Sequence, residues 1–229
     1  MNPRSVRQFK AFVLGATGLV GREVVSGLLA ADRFSSVTAF VRRPGALKKI
    51  GIPESPKLIE HQVDFSELGK QPINWFQTLA PGDEAVLFSA LGTTIKQAGS
   101  KEQQYLVDFT YQFEVAKEFT RVTSEQKLTS HYVLVSASGA NSKSLLFYPR
   151  IKGQLEEAVH ELELSQIVIL RPSLLLGKRE TKRLGESTAE RFFELIQKMG
   201  VSLPPSIRPI HAKDVAKQAL RAVTEDTKL

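Results

Sequence analysis

The sequence of 229 residues contains no cysteine, which excludes disulfide bonds, thiolate catalysis and cysteine-ligated metal sites. Its four histidines show none of the spacings typical of metal sites, so we expect no metal centre. There is also no run of about 20 apolar residues, the length needed to cross a bilayer. The N-terminal segment lacks the apolar core of a secretory signal. These absences predict a soluble protein of the cytoplasm.

Positive charge outweighs negative charge, with 31 Lys and Arg against 24 Asp and Glu and a formal net charge of +7. The basic residues are scattered among acidic ones, apart from short clusters at 42–43, 48–49 and 178–183. This distribution makes a nucleic-acid partner unlikely. A phosphate-rich cofactor would account for the charge equally well.

Apolar segments that predict strands alternate with amphipathic segments that predict helices. Strands are predicted at 11–14, 36–41, 57–63, 84–90, 131–136 and 166–170, and helices at 23–31, 101–124 and 148–162. Apolar strands that are each followed by a helix predict a parallel sheet covered on both faces. We therefore expect an α/β, Rossmann-like, doubly wound fold. Residues 1–229 would form one domain, with a small C-terminal substrate lobe at about 173–229.

The first predicted strand leads into a turn that contains Gly15, Gly18 and Gly21 and then into a helix. This order suits a dinucleotide pyrophosphate. The first glycine permits the sharp turn, the second admits the phosphates, and the third lets the helix pack on the strand. The free N–H groups at the start of the helix then bind the anion. The other predicted cofactor-binding residues of this segment are Thr17, Leu19, Val20 and Arg22.

The end of the second predicted strand bears on the choice of cofactor. An NAD site usually places an acidic side chain there to bind the ribose 2′-hydroxyl, yet there is no acid between Asp32 and Glu54. The strand ends instead at Arg42 and Arg43, whose guanidinium groups can bind a 2′-phosphate through paired hydrogen bonds. The alternative is that these arginines are solvated loop charges. The missing acid favours NADP(H) over NAD(H).

Two later segments are also predicted to line the cofactor. Asp64 follows the third strand, where it either accepts a hydrogen bond from the adenine amino group or caps the next turn. After the fourth strand, a glycine would permit close approach to the ribose and nicotinamide side, and two threonine hydroxyls would bond there. The residues of that segment are Leu91, Gly92, Thr93 and Thr94.

Tyr148 and Lys152 are four residues apart, hence on one face of a predicted helix. Reduction of a carbonyl by hydride transfer forms an alkoxide that must receive a proton. A free tyrosine, with a pKa of about 10, exchanges protons reluctantly near neutral pH, whereas a nearby ammonium favours the phenolate. We predict Tyr148 as proton donor, Lys152 as its support and ribose ligand, and Ser136 or Ser138 as ligand of the substrate oxygen. The alternative is an amphipathic surface helix.

Taken together, these motifs resemble the short-chain dehydrogenase/reductase superfamily in its extended or atypical branch. Within it, the chain is most similar to the Tat-interacting-protein-like group of NADPH-binding proteins. The resemblance covers nearly the whole chain in order. It is carried by GATGLVG at 15–21, the pair at 42–43, VDF at 63–65, SALGTTIKQAGS at 89–100, SASGAN at 136–141, FYPRIKGQLE at 147–156, LRPSLLLG at 170–177 and RPIHAKDVAKQAL at 208–220.

The resemblance implies a Rossmann-like fold, NADP(H) binding, and a catalytic triad of Ser136, Tyr148 and Lys152. It adds Arg171 and Pro172 to the expected cofactor-binding residues. Two functions remain open: an NADP(H)-dependent oxidoreductase that reduces an unidentified small carbonyl or related substrate, and an NADPH-binding regulatory or scaffold protein without turnover. We expect a monomer or a homodimer.

Overall fold

The computed structural model describes residues 8–68, 74–176 and 209–224. Within these ranges six parallel strands form one sheet in the order β3-β2-β1-β4-β5-β6. The strands are β1 (Phe9–Leu14), β2 (Phe34–Val41), β3 (Leu58–Gln62), β4 (Glu84–Ser89), β5 (Thr129–Val135) and β6 (Gln166–Leu170). The predicted strands match them to within two residues at either end. The predicted α/β fold with a parallel, doubly wound sheet is confirmed.

The strand order reverses between β1 and β4, because the chain adds β2 and β3 on one side of β1 and the later strands on the other. In such sheets the crevice at the carboxyl ends of the strands, at the reversal point, is where ligands bind. The carboxyl ends of β1 and β4 lie side by side, with Leu14 paired to Ser89. The glycine turn and the segment after β4 therefore meet at this edge.

Helices cover both faces of the sheet. They are α1 (Leu19–Ala30), α2 (Ala46–Lys49), α3 (Ile95–Ala98), α4 (Lys101–Tyr105), α5 (Tyr111–Glu125), α6 (Phe147–His160) and α7 (Ala212–Thr224). Alternate residues of β1 face opposite ways: Val13 joins a core with α1 and α7, whereas Phe12 joins a core with α5 and α6. At the central strands β1 and β4 both faces are buried, which explains why these two strand sequences lack a regular polar alternation.

The helix predicted at 101–124 corresponds to α4 and α5, which are joined by a π-helical turn without a break in the helical segment. The turn covers Leu106–Thr110, between α4 and α5. A π turn inserts one residue into the helix, and such insertions are frequent at functional sites. Here it carries Asp108, which is fully buried. The uniform 3.6-residue pattern of the sequence gives no indication of this interruption.

The last described helix packs on the main sheet. Helix α7 contributes Val215 and Val223 to the same core as α1, and a Cβ added at Gly27 would lie 2.9 Å from Leu220 Cδ2. Just before it, β7 (Leu175–Leu176) pairs in parallel with β8 (Ile210–His211). The substrate lobe predicted at 173–229 lies largely outside the described residues and stays a prediction. None of the described helices is long and apolar enough to traverse a membrane.

Candidate functional site

The glycine turn has the geometry that a bound pyrophosphate requires. Gly15 adopts a positive φ of 81°, and its carbonyl accepts a hydrogen bond from the Gly18 N–H at 2.9 Å. Helix α1 follows at once, with Gly18 as its N-cap, no side-chain cap and no acidic residue in its first turn. The predicted Thr17 is exposed, whereas the side chains of Leu19 and Val20 are buried. Only backbone groups of those last two residues are therefore available to a ligand.

The three glycines of the turn have different structural roles. A Cβ at Gly15 would lie 2.6 Å from the Ala90 carbonyl, and a Cβ at Gly21 would lie 2.1 Å from the Gly15 oxygen. These two glycines let the turn, α1 and the end of β4 approach one another. Gly18 is exposed, and a Cβ there would lie 3.2 Å from the Gly15 oxygen and 3.8 Å from the Ala90 oxygen. Its missing side chain leaves open the space that a phosphate would fill, so the turn fits a dinucleotide.

Two unpaired guanidinium groups stand beside this turn. Strand β2 pairs with β1 up to Phe40 opposite Leu14, and Arg42 and Arg43 follow the end of β2 as exposed side chains. Neither forms an ion pair with a residue of the described ranges. Arg22 is half-buried, with its Nε 3.6 Å from Glu23 Oε1. The arginines thus lie at the end of the strand next to β1, where the sequence predicts a contact with a 2′-phosphate.

A carboxylate from the neighbouring strand fixes the loop that carries these arginines. Glu60 lies in β3 opposite Ala39 of β2. Its two oxygens accept hydrogen bonds from the backbone N–H groups of Gly45, at 2.6 Å, and Leu47, at 2.8 Å. The Glu60 carboxylate is therefore bound to the backbone of the loop that follows the arginine pair.

Two of the predicted cofactor ligands act as caps. The Asp64 carboxylate accepts hydrogen bonds from the Ser66 N–H at 2.8 Å and the Ser66 hydroxyl at 2.7 Å, the capping role weighed as the alternative to adenine binding. Thr94 caps α3 by accepting from the Gln97 N–H at 3.3 Å. The capping role considered for Asp64 is therefore observed, whereas the predicted cofactor contacts of Asp64 and Thr94 stay predictions.

At the carboxyl end of β5, the Ser136 side chain is 5% exposed, and its Oγ has no hydrogen-bond partner in the described structure. Its backbone N–H donates to the Leu170 carbonyl at 2.8 Å. A buried hydroxyl without a partner is costly unless a ligand or water completes its bonding. Ser136 therefore has the geometry of a ligand-binding group, and the exposed Ser138 lies two residues further on.

Lys152 is almost fully buried, and its Nζ lies 3.3 Å from Oδ1 of the completely buried Asp108. The other carboxylate oxygen of Asp108 accepts from the Thr93 N–H at 3.1 Å, and a Cβ at Gly92 would lie 3.2 Å from Oδ1. Burial raises the pKa of Asp108, and the nearby Lys152 ammonium opposes that rise. One carboxylate thus joins the segment after β4 to the predicted catalytic lysine.

A chain of polar groups continues from Asp108 into the protein interior. The Gln112 side-chain amide donates to the Asp108 carbonyl at 2.8 Å, and the Ser89 hydroxyl donates to Gln112 Oε1 at 2.8 Å. Tyr132 is fully buried nearby, and burial raises the pKa of its phenol. Such a chain holds the π turn against β4.

Tyr148, the predicted proton donor, stands in the first turn of α6 and is 40% exposed. It forms no hydrogen bond with a described residue. Lys152, one helical turn later, is buried and paired with Asp108. The two predicted catalytic residues therefore differ in solvent exposure, with Tyr148 exposed and Lys152 buried. The tyrosine hydroxyl is free to meet a substrate oxygen.

The predicted cofactor residues after β6 have other contacts. Arg171 forms an ion pair with the buried Glu156, Nη2 to Oε2 at 2.6 Å, and this hydrogen bond raises the pKa of Arg171. The Pro172 carbonyl accepts from the Ser138 N–H at 2.8 Å. Both residues line a cavity of about 290 Å³ with Ile210 of β8. Leu91, also predicted as a cofactor contact, is half-buried after β4.

Asp108 is the residue that sequence reasoning missed. The available signal is a polar stripe at four-residue spacing, formed by Gln104, Asp108 and Gln112, on a helix whose apolar residues share the helical period. All three are buried. Polar residues at helical spacing usually face solvent, so the stripe alone indicates an exposed face. The described residues contain no group of three or more His, Asp or Glu side chains arranged for a metal ion.

Comparison with known proteins gives a family and a fold. Residues 56–201 match the model of the HIM1 family. Protein FMP52, mitochondrial, of Lodderomyces elongisporus is 34% identical over 91% of this chain and 84% of its own length. The protein of the same name from Eremothecium gossypii is 34% identical over 95% and 90%.

Solved structures support the same architecture. Gre2 of Candida albicans, solved in complex with NADPH, superposes with a TM-score of 0.66 at 18% identity, over 96% of this chain and 75% of that one. A short chain dehydrogenase of Burkholderia cenocepacia, solved with NADP, gives 0.61 at 13% identity, over 96% and 85%. At these identities the likeness establishes the fold alone, an α/β Rossmann-like parallel sheet.

The expectation of a cytoplasmic protein is wrong, because the FMP52 relatives are named as mitochondrial proteins. The inference rested on the lack of an apolar signal core. That feature belongs to secretory signals, whereas mitochondrial targeting segments are amphipathic and rich in arginine. With 34% identity over more than nine-tenths of its length and the family model matched across 56–201, the chain belongs to the HIM1 family and is a relative of the fungal FMP52 proteins.

Proposed function

We propose that the protein is an NADP(H)-dependent oxidoreductase of the short-chain dehydrogenase/reductase type that reduces a carbonyl or related substrate. The observation that carries the proposal is the unpartnered, buried Ser136 hydroxyl on the same sheet edge as the uncapped α1 N-terminus. The first fits a substrate oxygen, and the second fits a pyrophosphate. The tyrosine at the start of α6 supplies the proton that the reaction consumes.

The residues of this chain would divide the reaction among them. A dinucleotide held by the glycine turn and the start of α1 would be the source of the hydride that the carbonyl carbon receives. Ser136 donates a hydrogen bond to the carbonyl oxygen and orients it, and Tyr148 transfers its hydroxyl proton to that oxygen as negative charge develops there. Lys152 stabilises the resulting phenolate through its positive charge. The phenolate then regains a proton from solvent, to which the tyrosine is open.

Asp108 would act on this reaction through Lys152. Its carboxylate lies 3.3 Å from the Lys152 Nζ, and both side chains are buried. The ion pair therefore fixes the position of the ammonium group in the protein interior. Because the same carboxylate accepts from the Thr93 N–H, it also sets the position of the segment predicted to lie over the ribose. Asp108 is thus a positioning residue.

We further propose a preference for NADP(H), on the basis of the exposed and unpaired Arg42 and Arg43 beside the glycine turn. The NADP- and NADPH-bound structures with the same fold are consistent with it. The sequence resemblance to the Tat-interacting-protein-like group supports the same cofactor. By the names of its relatives, we place the activity in mitochondria.

One observation favours a second function, an NADPH-binding regulatory protein without turnover. The Lys152 ammonium makes its close contact with Asp108, and Tyr148 is an exposed residue whose side chain forms no hydrogen bond within the part of the chain that the structure describes. A protein that only senses the cofactor needs no closer arrangement. The two functions share a cofactor site and differ only in whether a substrate is consumed.

The test combines cofactor binding with turnover. NADPH is expected to raise the melting temperature of the purified protein, and NADPH oxidation is expected with at least one member of a panel of aldehydes and ketones. Tyr148→Phe should lower kcat about 100-fold or more, because it removes the general acid, and should retain NADPH binding. Tyr105→Phe is the matched control, on a helix outside the proposed triad. Binding without turnover across the panel would favour the regulator, and absence of binding would overturn both functions.

A further inference from the structure

The large apolar side chains that the protein leaves exposed are concentrated at one edge of the sheet. Six such side chains are exposed in the described structure, and five of them follow β4, β5 or β6. They are Ile95, Leu145, Leu146, Tyr148 and Leu174, and the sixth is Ile59 in β3. Leu145 is 96% exposed and Leu146 is 70% exposed. Because the strands are parallel, the segments that follow them lie at the edge that carries Ser136.

These segments contact one another around the site. The Lys101 Nζ, in the segment after β4, lies 5.7 Å from the ring centroid of Phe147, in the segment after β5. The segment after β5 is joined to that after β6 by the hydrogen bond from Ser138 to Pro172. We call the segments 90–101, 136–150 and 171–176 the apolar rim.

The exposed leucines are presented by an ordered loop. The Asn141 side chain accepts from the Lys143 N–H at 2.9 Å, and the Ser144 hydroxyl accepts from the Leu146 N–H at 3.1 Å. The loop also lies directly on α6, since a Cβ at Gly153 would be 2.1 Å from the Ser142 nitrogen. Apolar side chains held out in this way indicate a binding surface.

The charge of the apolar rim has one sign. Its three segments contain five Lys or Arg residues and no Asp or Glu. Arg171 is neutralised by Glu156. Lys96 and Lys143 are exposed and form no ion pair with a residue that the structure describes. A ligand that covers the rim therefore meets apolar surface together with uncompensated positive charge.

We infer that the substrate is an amphiphile, a carbonyl compound with an extended apolar chain and an anionic group. The inference rests on the proposed function, because the carbonyl must reach Ser136 and Tyr148. The chain would lie along Leu145 and Leu146, where burial of apolar surface provides the binding free energy. The anionic group would pair with Lys96 or Lys143. A small polar substrate would leave this apolar surface exposed to water.

The chain-binding part is tested by substrate preference. The ratio of kcat/KM for decanal to that for propanal should fall about tenfold in Leu145→Ser/Leu146→Ser, because the apolar surface for the longer chain is lost. Ile59→Ser removes the exposed apolar side chain outside the rim and should leave the ratio unchanged. An equal effect of both variants, or no effect of either, would overturn the inference.

The anionic part is tested with a substrate of the same length that ends in a carboxylate. The wild type should prefer 10-oxodecanoate to decanal, and Lys96→Gln/Lys143→Gln should reduce that preference about fivefold at low salt. The matched control is Lys49→Gln/Lys213→Gln, which removes two exposed cations away from the rim. A preference that is unaltered by the rim variant would contradict the anionic part.

Binding without turnover separates this inference from the proposed function. Dodecanoate should raise the melting temperature of the NADPH-bound wild type, and Leu145→Ser/Leu146→Ser should abolish that shift while retaining the shift caused by NADPH. If wild type instead binds anionic vesicles, the leucine variant does not, and dodecanoate gives no shift, then the rim contacts a membrane and the substrate inference fails. Failure of NADPH itself to bind would refute the proposed function.

Discussion

The two halves of the candidate site are built by different means. On the β1–β2 side, the candidate site consists of a glycine turn and a helix start without a side-chain cap, flanked by two exposed arginines. On the β4–β5 side, it depends on buried side chains, with Lys152 held by Asp108 and an unpartnered Ser136. The first half is exposed to solvent, whereas the charged groups of the second half are buried.

This difference teaches where each half is vulnerable. A site formed by a glycine turn loses its ligand when a side chain is added there, because the space for the ligand exists only where the glycines have no Cβ atom. A buried side-chain site fails when one partner is removed, because the remaining charge has no solvent to stabilise it. Substitutions on the two sides should therefore differ in their effects on folding and on binding.

The largest expected effect is on the buried side. Lys152→Met should lower the free energy of unfolding by about 3–5 kcal/mol at pH 8, because it leaves Asp108 buried without its counter-charge. Loss of the ammonium raises the pKa of Asp108 further. A carboxyl group with a raised pKa in the folded state contributes stability that is present below its unfolded pKa and lost as pH rises through the folded pKa. Denaturant unfolding from pH 4 to pH 8 should therefore show a deficit that grows with pH.

The double variant Asp108→Asn/Lys152→Met provides the control, since it removes both charges and keeps similar volumes. Its stability should return towards that of the wild type and should lose the extra dependence on pH. If the single and double variants are equally unstable at every pH, the pair is not the source of the effect.

A smaller effect is expected in the backbone half. Gly21→Ala should cost about 2–3 kcal/mol, although alanine favours helices, because the new Cβ would lie 2.1 Å from the Gly15 oxygen. Gly18→Ala places the same methyl group 3.2 Å from the Gly15 oxygen, a much smaller overlap, so it should cost less stability than Gly21→Ala and bind NADPH about tenfold more weakly. Thermal unfolding and calorimetric titration separate the two outcomes. Equal stability of the two variants would refute the distinction.

The arginine pair should affect recognition and leave the fold intact. Arg42→Gln/Arg43→Gln should weaken NADPH binding by about 10- to 100-fold, because charge-assisted hydrogen bonds to the 2′-phosphate are lost. NADH lacks that phosphate, so its affinity should change little. Lys49→Gln, an exposed cation a few residues further on, should change neither. Parallel loss of affinity for both dinucleotides would show that the arginines do not read the 2′-phosphate.

The smallest effect sharpens the contrast within the buried half. Ser136→Ala should change stability by no more than about 0.5 kcal/mol, because its Oγ has no partner to lose. It should reduce kcat/KM for a carbonyl substrate about 3- to 10-fold, the value of one hydrogen bond. A large loss of stability would mean that the hydroxyl has a structural partner.

The fold could be predicted from the sequence because local signals agreed with one another. The apolar strands are short runs bounded by turn residues, as expected for strands that a sheet buries on both faces. Their assignment as strands rather than helices is therefore unambiguous. The π turn at 106–110 could not be predicted, because one inserted residue hardly disturbs a helical pattern. The placement of α7 against α1 is likewise a tertiary contact with no local sequence signal.

The candidate site was predictable to unequal degrees. The glycine turn was predictable because only glycine permits its close contacts, so chemistry and spacing coincide. The partner of Lys152 was not, because Asp108 lies 44 positions earlier and meets the lysine only through packing of α6 on the π turn. Asp64 and Thr94 could be recognised as polar residues that follow strands. Their roles as helix caps depend on local hydrogen bonds, which the sequence does not specify.

Glu60 limits how the proposed preference for NADP(H) could be changed by design. Its carboxylate already accepts hydrogen bonds from two backbone N–H groups, so it is not available to accept one from a ribose hydroxyl. Under the proposed preference, removal of the arginines alone should give a protein that binds both dinucleotides with similar affinity rather than one selective for NAD. Conversion of selectivity would require a newly introduced acid at the end of β2.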